Sequence, residues 1–236
     1  MKSGALLASV AAVALLLLNV PEPFFYTSLR VNNLTLHSDR PFAAAAGRHV
    51  LELAEARLAT SPLYDAKQEH AVYLCNSRWR QALFFNYRYG VGGVNYYPLT
   101  SHVFLRDASV ETNCLIGPSG RCASGDRTLA YFIAHEITHS LTGRAVSNVG
   151  FSRLPEWKRE GYADYVARGS TFNYEESKRA FLASDDTMDP AKSGLYLRFN
   201  LLVAHLLDKE QWTVQRLLTD PIEQTEVEAM LRNAAR

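Results

Sequence analysis

The stretch YFIAHEITHS, Tyr131 to Ser140, constrains the fold most, because its two histidines and its apolar residues fit a single helix. A helix turns by about 100° per residue, so His135 and His139 lie about 40° apart on one face. The other side carries a continuous apolar stripe, made of Ala130, Ile133, Ala134, Ile137 and Leu141. We therefore expect a helix from near residue 126 to Gly143 that packs its stripe on a sheet and turns its histidines toward a cleft.

Strand patterns precede this helix and helical patterns follow it. Residues rich in β-formers predict strands over Asn33–His37, His70–Cys75, Ala82–Arg88 and His102–Arg106, with a helix over Phe42–Thr60 and a turn over Gly90–Asn95. Helical spacing predicts helices over Pro155–Gly169, Leu195–Lys209, Trp212–Leu218 and Glu223–Arg236. This order predicts an α+β fold, in which a small amino-terminal sheet with one helix supports the motif helix and a helical part follows.

The amino terminus carries an apolar run from Gly4 to Val20, preceded by Lys2 and ended by Pro21. A run of about 17 residues is at the lower limit for crossing a bilayer. Because no A-x-A-like cleavage site follows, we expect residues 1–26 to form a signal-anchor or transmembrane segment, with the aromatic residues 24–26 at the membrane surface.

This segment also predicts where the protein is found. Lys2 and the amino terminus are the positive charges before the run, and they favour a cytosolic amino terminus, a single pass, and a domain over residues 30–236 outside the cytosol. The membrane is then a partner through the amino-terminal helix. If the segment is cleaved instead, the protein is secreted or periplasmic.

Charge and cysteine usage narrow the partners. A net charge of +1 without a block of lysine or arginine argues against nucleic acid as a partner. Cys114 and Cys122 bracket a loop, CLIGPSGRC, whose length suits a disulfide in an oxidising compartment. Cys75 lies in an apolar stretch and is expected to be a buried hydrophobic residue.

Two histidines are one ligand short of a catalytic zinc site, which takes three protein ligands and keeps one position for water. The segment LPEWKREGYADYV offers Glu160 as the third ligand, although a surface carboxylate beside Lys158 and Arg159 is the alternative. Asp164 lies one turn further on the same face, where it can accept the outer N–H of a ligating histidine. Gly161 between them is expected to let the two helices approach closely.

HEITH followed, after a gap of twenty residues, by EGYAD resembles the gluzincin zinc metallopeptidases, the thermolysin-like group. The resemblance covers residues 127–169, and the layout outside them is similar to small, membrane-anchored bacterial members. It implies that His135, His139 and Glu160 bind Zn²⁺, that Glu136 is the general base, and that Asp164 supports His135.

Two departures from related groups sharpen this expectation. SLTGRAVSNVG lacks the third histidine and the glycine that metzincins place soon after the motif. The chain also has GVGGVNYYP where the exopeptidase branch of the gluzincins carries Gly-x-Met-Glu-Asn, so an endopeptidase is expected rather than an aminopeptidase.

The expected function is zinc-dependent hydrolysis of peptide bonds in a peptide or protein substrate, with Glu136 moving the protons. The alternative is a catalytically silent, membrane-anchored binding or scaffold module that keeps the fold, and cleavage of a non-peptide amide is a third possibility. Tyr196 is a candidate for stabilising the oxyanion, although core packing is favoured for it. His205 is expected to be a core histidine. His102 is expected at the end of a strand that forms the cleft edge.

Overall fold

The computed structural model describes residues 12–123 and 125–233. The chain forms two compact units, each made of two segments. The first unit combines the residues up to Ala56 with Asp65–Ser140. The second unit combines Arg57–Tyr64 with the residues from Leu141 onward. Strands belong to the first unit and the second is helical. This confirms the predicted α+β class.

The first unit is built on a five-stranded mixed sheet. Its strands are β1 (Thr27–Val31), β2 (Leu34–Ser38), β3 (His70–Leu74), β4 (Gly93–Asn95) and β5 (Val103–Leu105), in the order β1-β2-β3-β5-β4. The β2–β3 and β3–β5 pairs are parallel, and the outer pairs are antiparallel. Strand β5 is therefore interior and β4 is an edge, so the expectation that the strand after His102 forms the edge is wrong.

A short second sheet follows. Strands β6 (Ala108–Ser109) and β7 (Cys114–Leu115) pair antiparallel, and a disulfide joins Cys114 to Cys122, with Cα atoms 5.6 Å apart. The pairing that the loop length suggested is therefore present. Cys75 is a buried free cysteine, as expected.

Within the described residues, the α-helices that lie wholly or partly in the first unit are α1 (residues 12–19), α2 (Ala44–Leu58), α3 (Arg78–Phe84) and α4 (Leu129–Arg153). The apolar stripe of α4 is buried, as predicted. Leu141 is 2% exposed, and no surface is exposed on the other four residues, Ala130, Ile133, Ala134 and Ile137. Helix α4 continues past Gly143 and bends at Ser147, where φ is 69°.

The second unit contains the remaining helices. They are α5 (Glu156–Arg168), α6 (Tyr174–Leu182), α7 (Pro190–Ser193), α8 (Leu197–Ala204), a π-helical turn over His205–Lys209, α9 (Val214–Thr219) and α10 (Gln224–Asn233). Pro155 precedes α5 and Gly169 ends it with a φ of 51°, as the proline-first, glycine-last pattern predicts. Helix α6 lies where no helix was predicted.

The close approach expected at Gly161 exists, but to a different helix. A Cβ atom added to Gly161 would lie 2.6 Å from the carbonyl oxygen of Phe199 and 2.9 Å from the side chain of Val203. These atoms belong to α8. Gly161 therefore lets α5 pack on α8, and the interpretation that it serves the contact with the motif helix is wrong.

The predicted strand over Ala82–Arg88 is also wrong. Helix α3 ends at Phe84, and the chain then turns through left-handed residues at Asn86 (φ 47°) and Tyr87 (φ 61°). Both carboxylate oxygens of Asp39 accept from backbone N–H groups at the start of α3, those of Asn76 and Ser77 at 2.9 Å. Asp39 is distant in the sequence, yet it stabilises the start of this helix. The segment Ala82–Arg88 includes several β-formers, so the local sequence favours a strand.

The prediction of a membrane anchor is wrong. No helix within residues 12–123 and 125–233 is long and apolar enough to cross a membrane, while residues 1–11 of the proposed segment lie outside the described residues. The described part of α1 has eight residues, or about 12 Å of helix, against a hydrocarbon core of about 30 Å. The predicted single-pass topology, the membrane partner and the localisation that depended on the anchor are withdrawn with it.

Of the aromatic residues expected at a membrane surface, Phe25 is part of the protein core and Phe24 packs against that core, while Tyr26 is exposed. Phe25 is 7% exposed, and its ring lies 5.0 Å from that of Tyr73 and 5.7 Å from that of Phe84. The Tyr73 hydroxyl donates to Glu22, and His102 Nδ1 lies 3.1 Å from the carbonyl oxygen of Leu18. These contacts bind the end of α1 and the segment after it to the sheet.

Candidate metal centre

The structure brings the three predicted metal ligands together. His135, His139 and Glu160 each offer one ligand atom, and these atoms all lie within 4.8 Å of one another. Ligand atoms at about 2.1 Å from a tetrahedral zinc are roughly 3.4 Å apart, so small side-chain rotations suffice to meet one ion. Two histidine nitrogens and one carboxylate are one of the donor sets that hold catalytic zinc, so the residues present fit the metal.

The two histidines lie on a helix that is buried nearly all round. His135 and His139 are 5% and 9% exposed, and their rings are 5.0 Å apart at an interplanar angle of 86°. Tyr131, one turn earlier, stacks on the His135 ring at 5.8 Å. Packing therefore restrains the orientation of the His135 imidazole. The low exposure of both histidines also means that this face of the helix is more enclosed than the open cleft that the sequence predicted.

Glu136 lies against the edge strand β4. A Cβ atom added to Gly93 would lie 2.6 Å from Glu136 Oε1 and 2.8 Å from its Cγ. Asn95, also on β4, donates through Nδ2 to the Glu136 carbonyl oxygen at 2.9 Å and to Ser140 Oγ at 2.7 Å. The strand thus fixes both the backbone and the carboxylate of the predicted base.

Glu160 is not the solvent-exposed carboxylate of the alternative interpretation. It is 9% exposed, and Arg159 Nε lies 3.1 Å from its Oε1. Lys158 is buried as well, and its ammonium donates to the carbonyl oxygen of Asp220. Burial lowers the pKa of Lys158, and the nearby Asp220 and Glu223 carboxylates oppose that shift. This contact ties the first turn of α5, just before Glu160, to the end of α9.

Asp164 is completely buried and belongs to a charged network. Its Oδ2 accepts from Arg168 Nε at 2.7 Å and from Asn200 Nδ2 at 3.1 Å. Arg168 and Asn200 are 7% and 0% exposed. The guanidinium and the amide together hold this buried carboxylate in one orientation. Its predicted support of His135 stays a prediction.

Three further residues singled out in the sequence have clear environments. Tyr196 precedes α8 and its ring stacks on Phe199 at 6.0 Å, which agrees with the packing role favoured for it. His205 is 3% exposed, as expected of a core histidine, and its Nδ1 lies 2.8 Å from the Tyr174 hydroxyl. His102 lies just before β5, as expected, and its ring contacts that of Tyr73.

Sequence reasoning missed four residues around the site: Gly93, Asn95, Arg168 and Asn200. Only Arg168 carries a local signal, since it lies one helical turn after Asp164. The other three act through contacts between residues at least 36 positions apart, such as Asn200 with Asp164. The contact partners of these three residues cannot be predicted from the spacing of residues along the chain.

Several known proteins match this chain. A segment of 59 residues is 41% identical to leukotriene A-4 hydrolase from Xenopus laevis, and it covers 25% of this chain and 9% of that protein. No family model and no solved structure matches the chain. The similarity to a hydrolase agrees with a hydrolytic activity, and the His135, His139 and Glu160 cluster is a possible metal site.

Proposed function

We propose that this protein is a zinc-dependent peptidase. The observation that carries the proposal is the convergence of His135, His139 and Glu160 beside a buried glutamate, Glu136. The partial similarity to leukotriene A-4 hydrolase supports a hydrolase, and the HEITH and EGYAD motifs support the zinc peptidase type. His135, His139 and Glu160 would hold the metal.

Zinc, when bound, supplies a Lewis acid that polarises a carbonyl group and makes water more acidic. The chain's own residues then move the proton. Glu136 is adjacent in sequence to the proposed ligand His135 and is 7% exposed. In the proposed mechanism its carboxylate takes a proton from the attacking water and later gives that proton to the leaving amine. Gly93 and Asn95 hold Glu136 in place for both steps.

Strand β4 offers a binding edge for an extended substrate. Within the five-stranded sheet, β4 is the last strand and pairs only with β5. A peptide that adds to this edge through main-chain hydrogen bonds would run past Glu136, and such binding tolerates many side chains. This supports an endopeptidase, which must accept the middle of a polypeptide rather than a free end.

The test measures metal and hydrolysis on the same sample. Metal analysis of the purified protein is expected to give one zinc per chain, and the protein should cleave an unfolded casein-type substrate until a chelator is added. Glu136→Gln should keep its zinc and lose cleavage. Zinc binding without cleavage of proteins would favour the silent scaffold instead, and cleavage that survives in Glu136→Gln would contradict the mechanism.

A further inference from the structure

The chain has a basic and aromatic segment next to the proposed site. From His70 to Arg106 there is no aspartate or glutamate, while there are four arginines, Arg78, Arg80, Arg88 and Arg106. Aromatic residues are frequent over the same stretch, which runs from β3 through α3 to β5. Acidic side chains are distributed over the rest of the chain, so this segment has a local positive charge that the net charge of +1 hides.

Two of these arginines have structural roles. Arg80 pairs with the buried carboxylate of Asp39 at 3.0 Å and lies over the Trp79 ring at 4.1 Å. Arg106 is 7% exposed. Arg78 and Arg88 are exposed, and within residues 12–123 and 125–233 neither has a carboxylate within ion-pair distance. Their charge is therefore directed to solvent and available to a partner.

Aromatic rings accompany these two charges. The Arg78 guanidinium lies over the Tyr89 ring at 4.9 Å, and the Tyr89 ring contacts that of Tyr87 at 6.4 Å. Tyr87 is 72% exposed and adopts a left-handed conformation with a φ of 61°, which is unfavourable for a residue with a large side chain. We call Arg78, Tyr87, Arg88 and Tyr89 the α3 patch.

The α3 patch is continuous with the edge strand. Tyr96, which follows β4, donates through its hydroxyl to the carbonyl oxygen of Phe84 at the end of α3, at 2.7 Å. Burial raises the pKa of Tyr96, and the Arg88 guanidinium opposes that shift, so Arg88 acts on the residue directly after β4. The loop that carries the patch leads into Gly93, which contacts Glu136.

We propose that the α3 patch binds acidic side chains of a polypeptide substrate whose cleaved segment lies along β4. The inference rests on the proposed peptidase function and narrows its substrate class to polypeptides with aspartate or glutamate residues flanking the cleavage site. Arg78 and Arg88 supply the countercharges. Tyr87 and Tyr89 supply flat apolar surface for the carbon atoms of the bound segment.

The experiment measures binding separately from cleavage. Two fluorescent peptides of equal length share one apolar centre, and one has glutamates at both ends where the other has glutamines. Binding to the full-length, zinc-loaded Glu136→Gln protein is followed by fluorescence anisotropy at low and high salt. Two exposed ion pairs at about 0.5 kcal/mol each correspond to about fivefold tighter binding of the acidic peptide at low salt. High salt should reduce that difference.

Variants assign the preference to the patch. Arg78→Gln combined with Arg88→Gln should remove the fivefold difference, and lysine at both positions should largely restore it. The control combines Arg121→Gln with Arg153→Gln, two exposed arginines elsewhere, which changes the net charge equally and should keep the preference. Equal binding of both peptides, or an equal loss in patch and control variants, would overturn the inference.

Cleavage by the unmodified protein distinguishes this inference from the proposed function. If neither peptide is cleaved but the acidic one binds through the patch, the peptidase proposal fails and the patch stands as a binding surface. If both peptides are cleaved with equal kcat/KM and bind equally, the peptidase proposal stands and the acidic preference is rejected.

Discussion

Gly93 and Glu136 approach so closely that no side chain fits between them. A methyl group on Gly93 would lie 2.6 Å from Glu136 Oε1 and 2.7 Å from Leu105 Cδ2. Contacts under 3.0 Å force a shift, and Leu105 lies in the interior strand β5. The edge strand therefore determines where the carboxylate of the proposed base can lie.

Gly93→Ala is expected to displace the Glu136 carboxylate while leaving the metal ligands in place. A displacement near 1 Å can lower a rate by about a hundredfold, and the loss should appear in kcat with zinc content unchanged. Gly90→Ala is the matched control, because nothing lies within 4 Å of a Cβ atom at that position. Full activity of Gly93→Ala in steady-state assays would show that the base tolerates displacement.

Zinc should stabilise the folded chain through the three ligands. At a hundred times the dissociation constant, a ligand that binds only the folded state contributes about 2.7 kcal/mol. Thermal unfolding with and without a chelator should show this difference in the unmodified protein and lose most of it in Glu160→Gln. Glu156→Gln, at the exposed start of the same helix, should respond to zinc normally. An undiminished zinc effect in Glu160→Gln would remove Glu160 from the ligand set.

Asp164→Asn is expected to weaken zinc binding about tenfold to a hundredfold, as is typical when a group that orients a ligand is changed. Competition with a chromophoric chelator measures this directly. The same substitution removes the countercharge of buried Arg168, so Arg168→Met serves as the comparison, since it breaks the pair but keeps the carboxylate. Equal loss of affinity in both variants would mean that Asp164 acts only through the stability of α5.

The proposed ligands could be predicted because their pattern is local. His135 and His139 lie four residues apart on one helix, and Glu160 begins a second pair of the same spacing with Asp164. Helical geometry alone places each pair on one face. The meeting of the two pairs came from the family resemblance, and the cluster within 4.8 Å agrees with it.

The segments whose structure was predicted wrongly depend on contacts between residues that are far apart in the sequence. Helix α3 is stabilised by Asp39, 37 positions before Asn76, and the ring of Phe25 packs on Tyr73 of β3. Amphipathic aromatic composition fits both a membrane interface and a sheet core. The position of β4 at the edge likewise follows from sheet order, which strand patterns along the chain do not specify.

Acid should destabilise the fold through His205. Burial lowers its pKa from the ordinary value of 6.5, with Lys178 and Lys209 acting in the same direction and Glu210 opposing. Below pH 6.5 the unfolded chain takes up a proton that the folded chain resists, so the free energy of unfolding falls as pH decreases. His205→Gln should lessen this dependence in urea unfolding between pH 7 and 5, with exposed His49→Gln as control. Unchanged pH dependence in His205→Gln would show that another group is responsible.

Gly161→Ala tests whether the packing of α5 on α8 is essential for the fold. Alanine favours a helix over glycine by about 1 kcal/mol, so the substitution would stabilise an isolated helix. Here its methyl group would lie 2.6 Å from the Phe199 carbonyl oxygen, and backbone atoms of α8 cannot turn away as a side chain can. We expect a net loss of about 1–3 kcal/mol in urea unfolding with chelator present. Gly150→Ala, whose methyl group would have its nearest contacts at 3.2 Å or more with the side chains of Val146 and Ser147, should change stability little. A Gly161→Ala protein as stable as this control would show that α8 can move away without cost.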